Sequence, residues 1–223
     1  IDFIGIDNYM PLSDWRDGTD HLDAYWGSIY DADYLAANIE GGEGFDWFYH
    51  SDEARDAQIR TRIEDVDHGE DWVWRYKDIR GWWESYHHNR IAGVRLAEAT
   101  GWVPGSKPIR FTELGCAAID KGTNQPNKFL DPKSSESAIP HYSRGHRDET
   151  IQRQYFKAML SYWKDGFNNP MAELYEGRMI DMDHAYAWAW DARPYPAFPN
   201  NRGLWTDAGN YAAGHWLNGR TSA

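Results

Sequence analysis

The sequence predicts an α/β fold of the TIM (β/α)8-barrel type, of which it supplies a C-terminal part. Three observations carry this expectation. Three short apolar runs read as buried parallel strands. Each run ends in polar or aromatic residues, as barrel strands do where they deliver side chains to a site. Helical stretches with apolar residues at three- and four-residue spacing lie between the runs.

The strands are expected at residues 1–9, 108–115 and 184–191, with a further short one at 72–76. Helices are expected at 32–40, 52–65, 77–99, 148–163 and 210–217. The clearest is 148–163, where Ile151, Tyr155, Ala158, Met159 and Tyr162 form a stripe suited to packing against a sheet. The connection 117–147, with Pro126, Pro132 and Pro140, exceeds the ~12 to 15 residues usual in compact domains, and such loops tend to be functional. The glycine-aromatic stretch 41–49 suits the rim of a site. The strand count falls short of eight and the chain opens in mid-strand. The expectation is therefore a single domain over residues 1–223, excised from a longer protein.

Composition narrows the function. The 223 residues include 13 Trp, 14 Tyr and 8 Phe, and 41% are hydrophobic, enough to build a core. A net charge of -12 argues against a nucleic-acid partner, which needs clustered Lys and Arg to displace counterions. Cys116 is the single cysteine, so neither an internal disulfide nor a cysteine-based zinc site is available. No apolar run approaches the ~20 residues that span a bilayer, and no membrane insertion is expected.

The sharpest local signal is KPIRFTELG, residues 107–115. Strict alternation puts Ile109, Phe111 and Glu113 on one face and Arg110, Thr112 and Leu114 on the other. Glu113 is then the last inward residue, at the strand end where this fold places catalytic groups. The alternative is a structural carboxylate paired with Arg or capping a helix. In the third strand Tyr186, Trp188 and Trp190 alternate with Ala185, Ala187 and Ala189, and Asp191 ends the run. Indole faces at a barrel mouth stack on the apolar faces of pyranose rings, and equally they fill gaps between barrel and helices. In the first strand Phe3, Gly5, Asp7 and Tyr9 share one parity. Tyr9 is placed to hydrogen-bond a catalytic carboxylate and hold it ionised, while Asp7 suits a sugar hydroxyl or, preferably, a supporting structural role.

Other signals are weak. The nine His contain no HExxH, and no metal site is expected. The GGEG stretch has neither the register of a dinucleotide fingerprint nor that of a phosphate loop, so no cofactor is expected. A GxSxG elbow is missing. Cys116 reads as a buried small residue rather than a nucleophile.

The order IDFIGIDNYMPL, KPIRFTELG and YAWAWDARPYPAF resembles the last strands of retaining glycoside hydrolases of the large TIM-barrel clan. More closely, NIEGGEGFDWFY, RYKDIRGWW, FTELGCAAIDKGTNQPNKF, DPKSSESAIPHYSRG and WAWDARPYPAFP resemble the TIM-barrel-like domain of the gene transfer agent and phage-tail baseplate host-specificity protein. The resemblance implies a glycosidase-like domain in a tail tip, made in the cytoplasm and extracellular on the released particle. Its partners would be bacterial surface polysaccharide and other tail or baseplate proteins. It maps Glu113, and no other residue, onto the nucleophile position; in a glycosidase Tyr9 would be its hydrogen-bond support. Trp188, Trp190, Asp191, Trp47, Tyr49 and Asp7 are the candidate substrate contacts. The clan's acid/base Glu, usually in an Asn-Glu pair, has no counterpart: Asn38 and Glu40 do not form that pair, and Glu43 sits in a loop. Three readings follow: a retaining glycosidase, a non-catalytic carbohydrate-binding module, or a structural spacer of the tail.

Overall fold

The structure, a computed structural model, describes residues 1–128, 135, 137–188, 196–205 and 208. Its centre is a parallel pair, β1 (Ile4–Asn8) and β6 (Ile109–Leu114). On the other edge of β6 runs residues 180–187, tied by parallel bridges Ile109 to Ile180 and Leu114 to Ala187. Three chain segments thus run side by side in the same direction, with β6 in the middle. The described residues form no closed barrel.

The third segment is less regular than the sequence implies. A 3₁₀ turn at Met182–His184 breaks it, and regular pairing resumes where Tyr186 N donates to Phe111 O and Trp188 N to Leu114 O. Trp190, Asp191 and the expected helix at 210–217 lie outside the described residues.

One face of the pair is covered by α4 (Glu149–Lys164), capped by the Asp148 carboxylate, which accepts from Ile151 N. Ile151, Tyr155, Ala158, Met159 and Trp163 are buried in the core with Ile109, Phe111 and Leu114. Each such large side chain contributes about 1.5–3 kcal/mol of burial. Four residues of the stripe read from the sequence pack here; Tyr162 is only partly buried, its Oη donating to Glu40 Oε2 at 2.6 Å, and Trp163 takes the fifth buried place. Tyr155 Oη also donates to Asn8 O at 3.2 Å, fixing the helix to the end of β1.

Strict alternation along β6 does not hold. Ile6 pairs with Phe111 and Asp7 with Glu113, so Thr112 is an extra residue, a β-bulge. The bulge reverses parity. Ile109, Phe111 and Leu114 face α4, and Glu113 stands with Arg110 and Thr112 on the opposite face. The expected sharing of a face by Phe111 and Glu113 is therefore corrected.

Three local expectations also fail, each for a backbone reason. The helix expected to 65 is α2 (Asp52–Asp56) alone. Gln58 takes a positive φ of 51°, and β3 (Thr61–Arg62) pairs antiparallel with β2 (Trp47–Phe48). The helix expected at 77–99 is α3 (Ile79–Glu84), followed by a hairpin of β4 (His88–Ile91) and β5 (Val94–Ala99). Its two-residue turn, Ala92 and Gly93, has φ of 50° and 82°, the conformation that matches strand twist. The strand expected at 72–76 is a 3₁₀ turn, Asp71–Val73. The helix expected at 32–40 is shorter, α1 (Ala32–Ala37), and α5 (Ala197–Asn200) ends the described elements.

Gly115 lets two backbones meet: a Cβ there would stand 2.1 Å from Trp188 O. Gly115→Ala is expected to cost about 1–3 kcal/mol, read as a lower urea midpoint. An unchanged midpoint would mean that this approach is not held in solution.

Candidate active site

The polar face of the pair is built by cross-strand contacts. The Arg110 guanidinium lies 4.5 Å from the Phe3 ring centroid, and Thr112 Oγ1 donates to Asp7 Oδ1 at 2.7 Å. At the strand ends Tyr9 Oη donates to Glu113 Oε2. Burial and then the Glu113 carboxylate push the Tyr9 phenol far above its ordinary range, so it stays a proton donor. Glu113 Oε1 carries no hydrogen bond among the described residues.

This pair opens on a cavity of about 210 Å³ lined by Tyr9, Glu113, Cys116, Ala117, Pro126, Asn127, Lys128 and Trp188. Trp188 is 51% exposed and sits at its wall. Cys116 is 2% exposed, and burial raises its thiol well above the ordinary value, which suits a structural wall residue rather than a nucleophile.

Tyr9 and Asn127 also line a second, larger chamber of about 510 Å³. Asp7, Met10, Pro11, Glu43, Arg55, Tyr76, Asn124, Gln125 and His141 complete it. Arg55 grips Glu43 with two bonds, of 2.6 and 3.1 Å. Asn124 is internally consumed: Oδ1 accepts from Ser13 Oγ and Trp15 N, and Nδ2 donates to Trp15 O and His141 O. That amide locks the loop after β1 to the loop carrying Gln125 and His141.

The structure brings together Glu113, Tyr9 and Trp188 at one cavity, and Asp7 at the adjoining one. Trp47 and Tyr49 line neither. Tyr49 Oη donates to Asp14 Oδ2 at 2.6 Å and its ring lies under Arg55, while Trp47 lies under Arg60, which bridges Asp14 and Asp23. Their aromatic faces are spent on guanidinium groups.

Sequence reading put the 41–49 stretch at a site rim but set Glu43 aside as a loop residue, and it missed Arg55, His141 and Lys77 as parts of this region. A carboxylate between glycines in GGEG was a usable signal for Glu43; nothing in the sequence marked Lys77. Lys77 is 1% exposed, and its ammonium donates to Pro11 O at 2.6 Å and Gly41 O at 2.7 Å. It ties the loop after β1 to the glycine loop that carries Glu43.

Burial lowers the Lys77 pKa to about 7, against the opposing pull of Glu43 and Asp46. An unfolded chain keeps this proton up to about pH 10.4. Between those values the unfolded state binds more protons, so stability rises with pH by up to about 1.4 kcal/mol per unit. Wild type is expected to gain stability over Lys77→Met between about pH 7 and 10, measured by urea unfolding. Parallel stability curves would show that Lys77 is not held desolvated.

Among the described residues no group of three or more His, Cys, Asp or Glu is arranged to hold a metal ion, and no helix is long and apolar enough to cross a membrane. Comparison with curated proteins finds no match to this sequence. A family model for the GTA TIM-barrel-like domain matches residues 1–199, a span that contains β1, β6, α4 and every residue lining both cavities. With that match over most of its length, the chain belongs to the family of gene transfer agent TIM-barrel-like domains.

Proposed function

We propose that this chain is a glycoside-hydrolase-like domain of a phage-tail or gene-transfer-agent baseplate protein, working on bacterial cell-surface polysaccharide outside the cell. Glu113 is its nucleophile in a retaining mechanism. The observation that carries the reading is the strand-end carboxylate, held at Oε2 by Tyr9, facing a ring-sized cavity walled by Trp188.

The chemistry follows from that placement. Glu113 Oε1 attacks the anomeric carbon while its bond to the leaving oxygen breaks, giving a glycosyl ester that water later hydrolyses. Tyr9 keeps the carboxylate oriented and, as a donor, shares its negative charge until the attack. Trp188 presents an indole face for the apolar side of the ring. The leaving oxygen needs a proton from a second carboxyl about 5 to 5.5 Å from the first.

One observation favours a second reading. Of the described residues that line the Glu113 cavity, Glu113 is the one carboxylate. A domain without the acid partner binds sugar and does not cut it, which makes a non-catalytic recognition module the alternative. A structural tail domain binds no glycan at all.

Reducing-sugar release from host surface polysaccharide separates these readings. Wild type is expected to release sugar and Glu113→Gln to lose at least about 10³-fold. Saturable binding without release by wild type would shift the assignment to recognition. Absence of both would leave the structural role.

A further inference from the structure

The Glu113 cavity has a neighbour across Tyr9. Tyr9 and Asn127 belong to the linings of both chambers, so the 210 Å³ and 510 Å³ spaces lie on either side of those two residues. The smaller admits one ring, and the larger has room for more than twice that. Its walls also carry unspent polar groups. The side chains of Asn127 and His141 make no hydrogen bond to the described residues. Gln125 accepts from His141 N at Oε1, and its amide hydrogens meet no acceptor among the described residues.

Charge decides the kind of chain that fits. Arg55 is occupied by Glu43, and burial with the nearby Arg55 lowers the His141 pKa, keeping that ring neutral at pH 7. Of the remaining described charges on the two linings, Asp7 and Glu113 stand against Lys128. A polyanionic glycan would meet a net negative wall, whereas neutral amide and imidazole groups suit hydroxyls.

Resting on the glycan reading above, we propose that the two chambers form one cleft for an internal stretch of an uncharged polysaccharide. One ring lies beside Glu113 and Trp188. At least two more lie in the 510 Å³ chamber, where Gln125, Asn127 and His141 bind their hydroxyls.

The test uses calorimetric titration of the full chain carrying Glu113→Gln, so that no bond is cut. The probes are neutral hexose and N-acetylhexosamine oligomers of one to six units, with oligouronates of matched length. Affinity for neutral oligomers is expected to climb from one unit to three or four. Adding His141→Ala or Asn127→Ala is expected to weaken the longer oligomers about tenfold, the scale of one or two hydrogen bonds, and His141→Ala, which lies outside the Glu113 cavity, is expected to leave the monosaccharide unchanged. Neither side chain holds a hydrogen bond to the described residues, so folding should survive, and adding Trp188→Ala should weaken every length. Binding that depends on Trp188 but does not climb with length, or a climb that both chamber variants leave intact, would overturn the second chamber. Oligouronates binding as tightly as neutral chains would overturn the substrate class. No saturable binding of any probe would overturn the glycan reading itself.

Discussion

The pairing of β1 with β6, out of step by one residue at Thr112, is the constraint from which the site follows. Ile109, Phe111 and Leu114 must reach α4 for the core to close, and three apolar residues at spacing two and then three cannot share a face of a regular strand. The bulge resolves the conflict. It keeps Leu114 in the core and turns Glu113 to the polar face, where Tyr9 from the neighbouring strand meets it. A carboxylate directed at Trp163 and Tyr155 would be buried beside apolar rings at large desolvation cost. The site is in this sense a by-product of core packing.

Around that centre the loops are fixed mainly by buried polar groups. Lys77 binds two carbonyls from separate loops, Asn124 binds the stretch after β1 to the long loop, and Arg60 clamps Asp14 to Asp23. Buried polar groups of this kind stabilise only when well partnered, and they then dictate a single loop arrangement. Two chambers sharing one tyrosine wall result from that arrangement. Aromatic abundance alone is a poor guide to binding surfaces here, since Trp47 and Tyr49 stack on Arg60 and Arg55 within the same scaffold.

Much of the frame was legible in the sequence. The α4 stripe, the β1 and β6 runs and the Tyr9 to Glu113 partnership follow from periodicity and strand-end position, both local properties. The face of Glu113 was not legible, because a bulge answers to the partner strand and the helix behind it. The segments at 52–65 and 77–99 misled for a related reason. Their apolar spacing fits a helix, yet Gln58 adopts left-handed backbone just past α2, Ser85 turns extended and ends α3, and the left-handed Ala92-Gly93 turn folds the remainder into a hairpin. Lys77 was hidden because its partners are backbone carbonyls distant in sequence, which leave no pattern. The family match agrees with the barrel-type reading, while the described residues hold three adjacent parallel segments and no closed barrel.

The central claim is that the bulge delivers Glu113 to Tyr9, and the phenol itself reports on it. Tyrosine Cζ labelled with carbon-13 and followed by NMR against pH, with Tyr9→Phe assigning the resonance, measures that contact directly. The account predicts that Tyr9 shows no ionisation through pH 11, and that Glu113→Gln lowers its pKa. Titration of Tyr9 near the ordinary value of about 10, unchanged by Glu113→Gln, would contradict it.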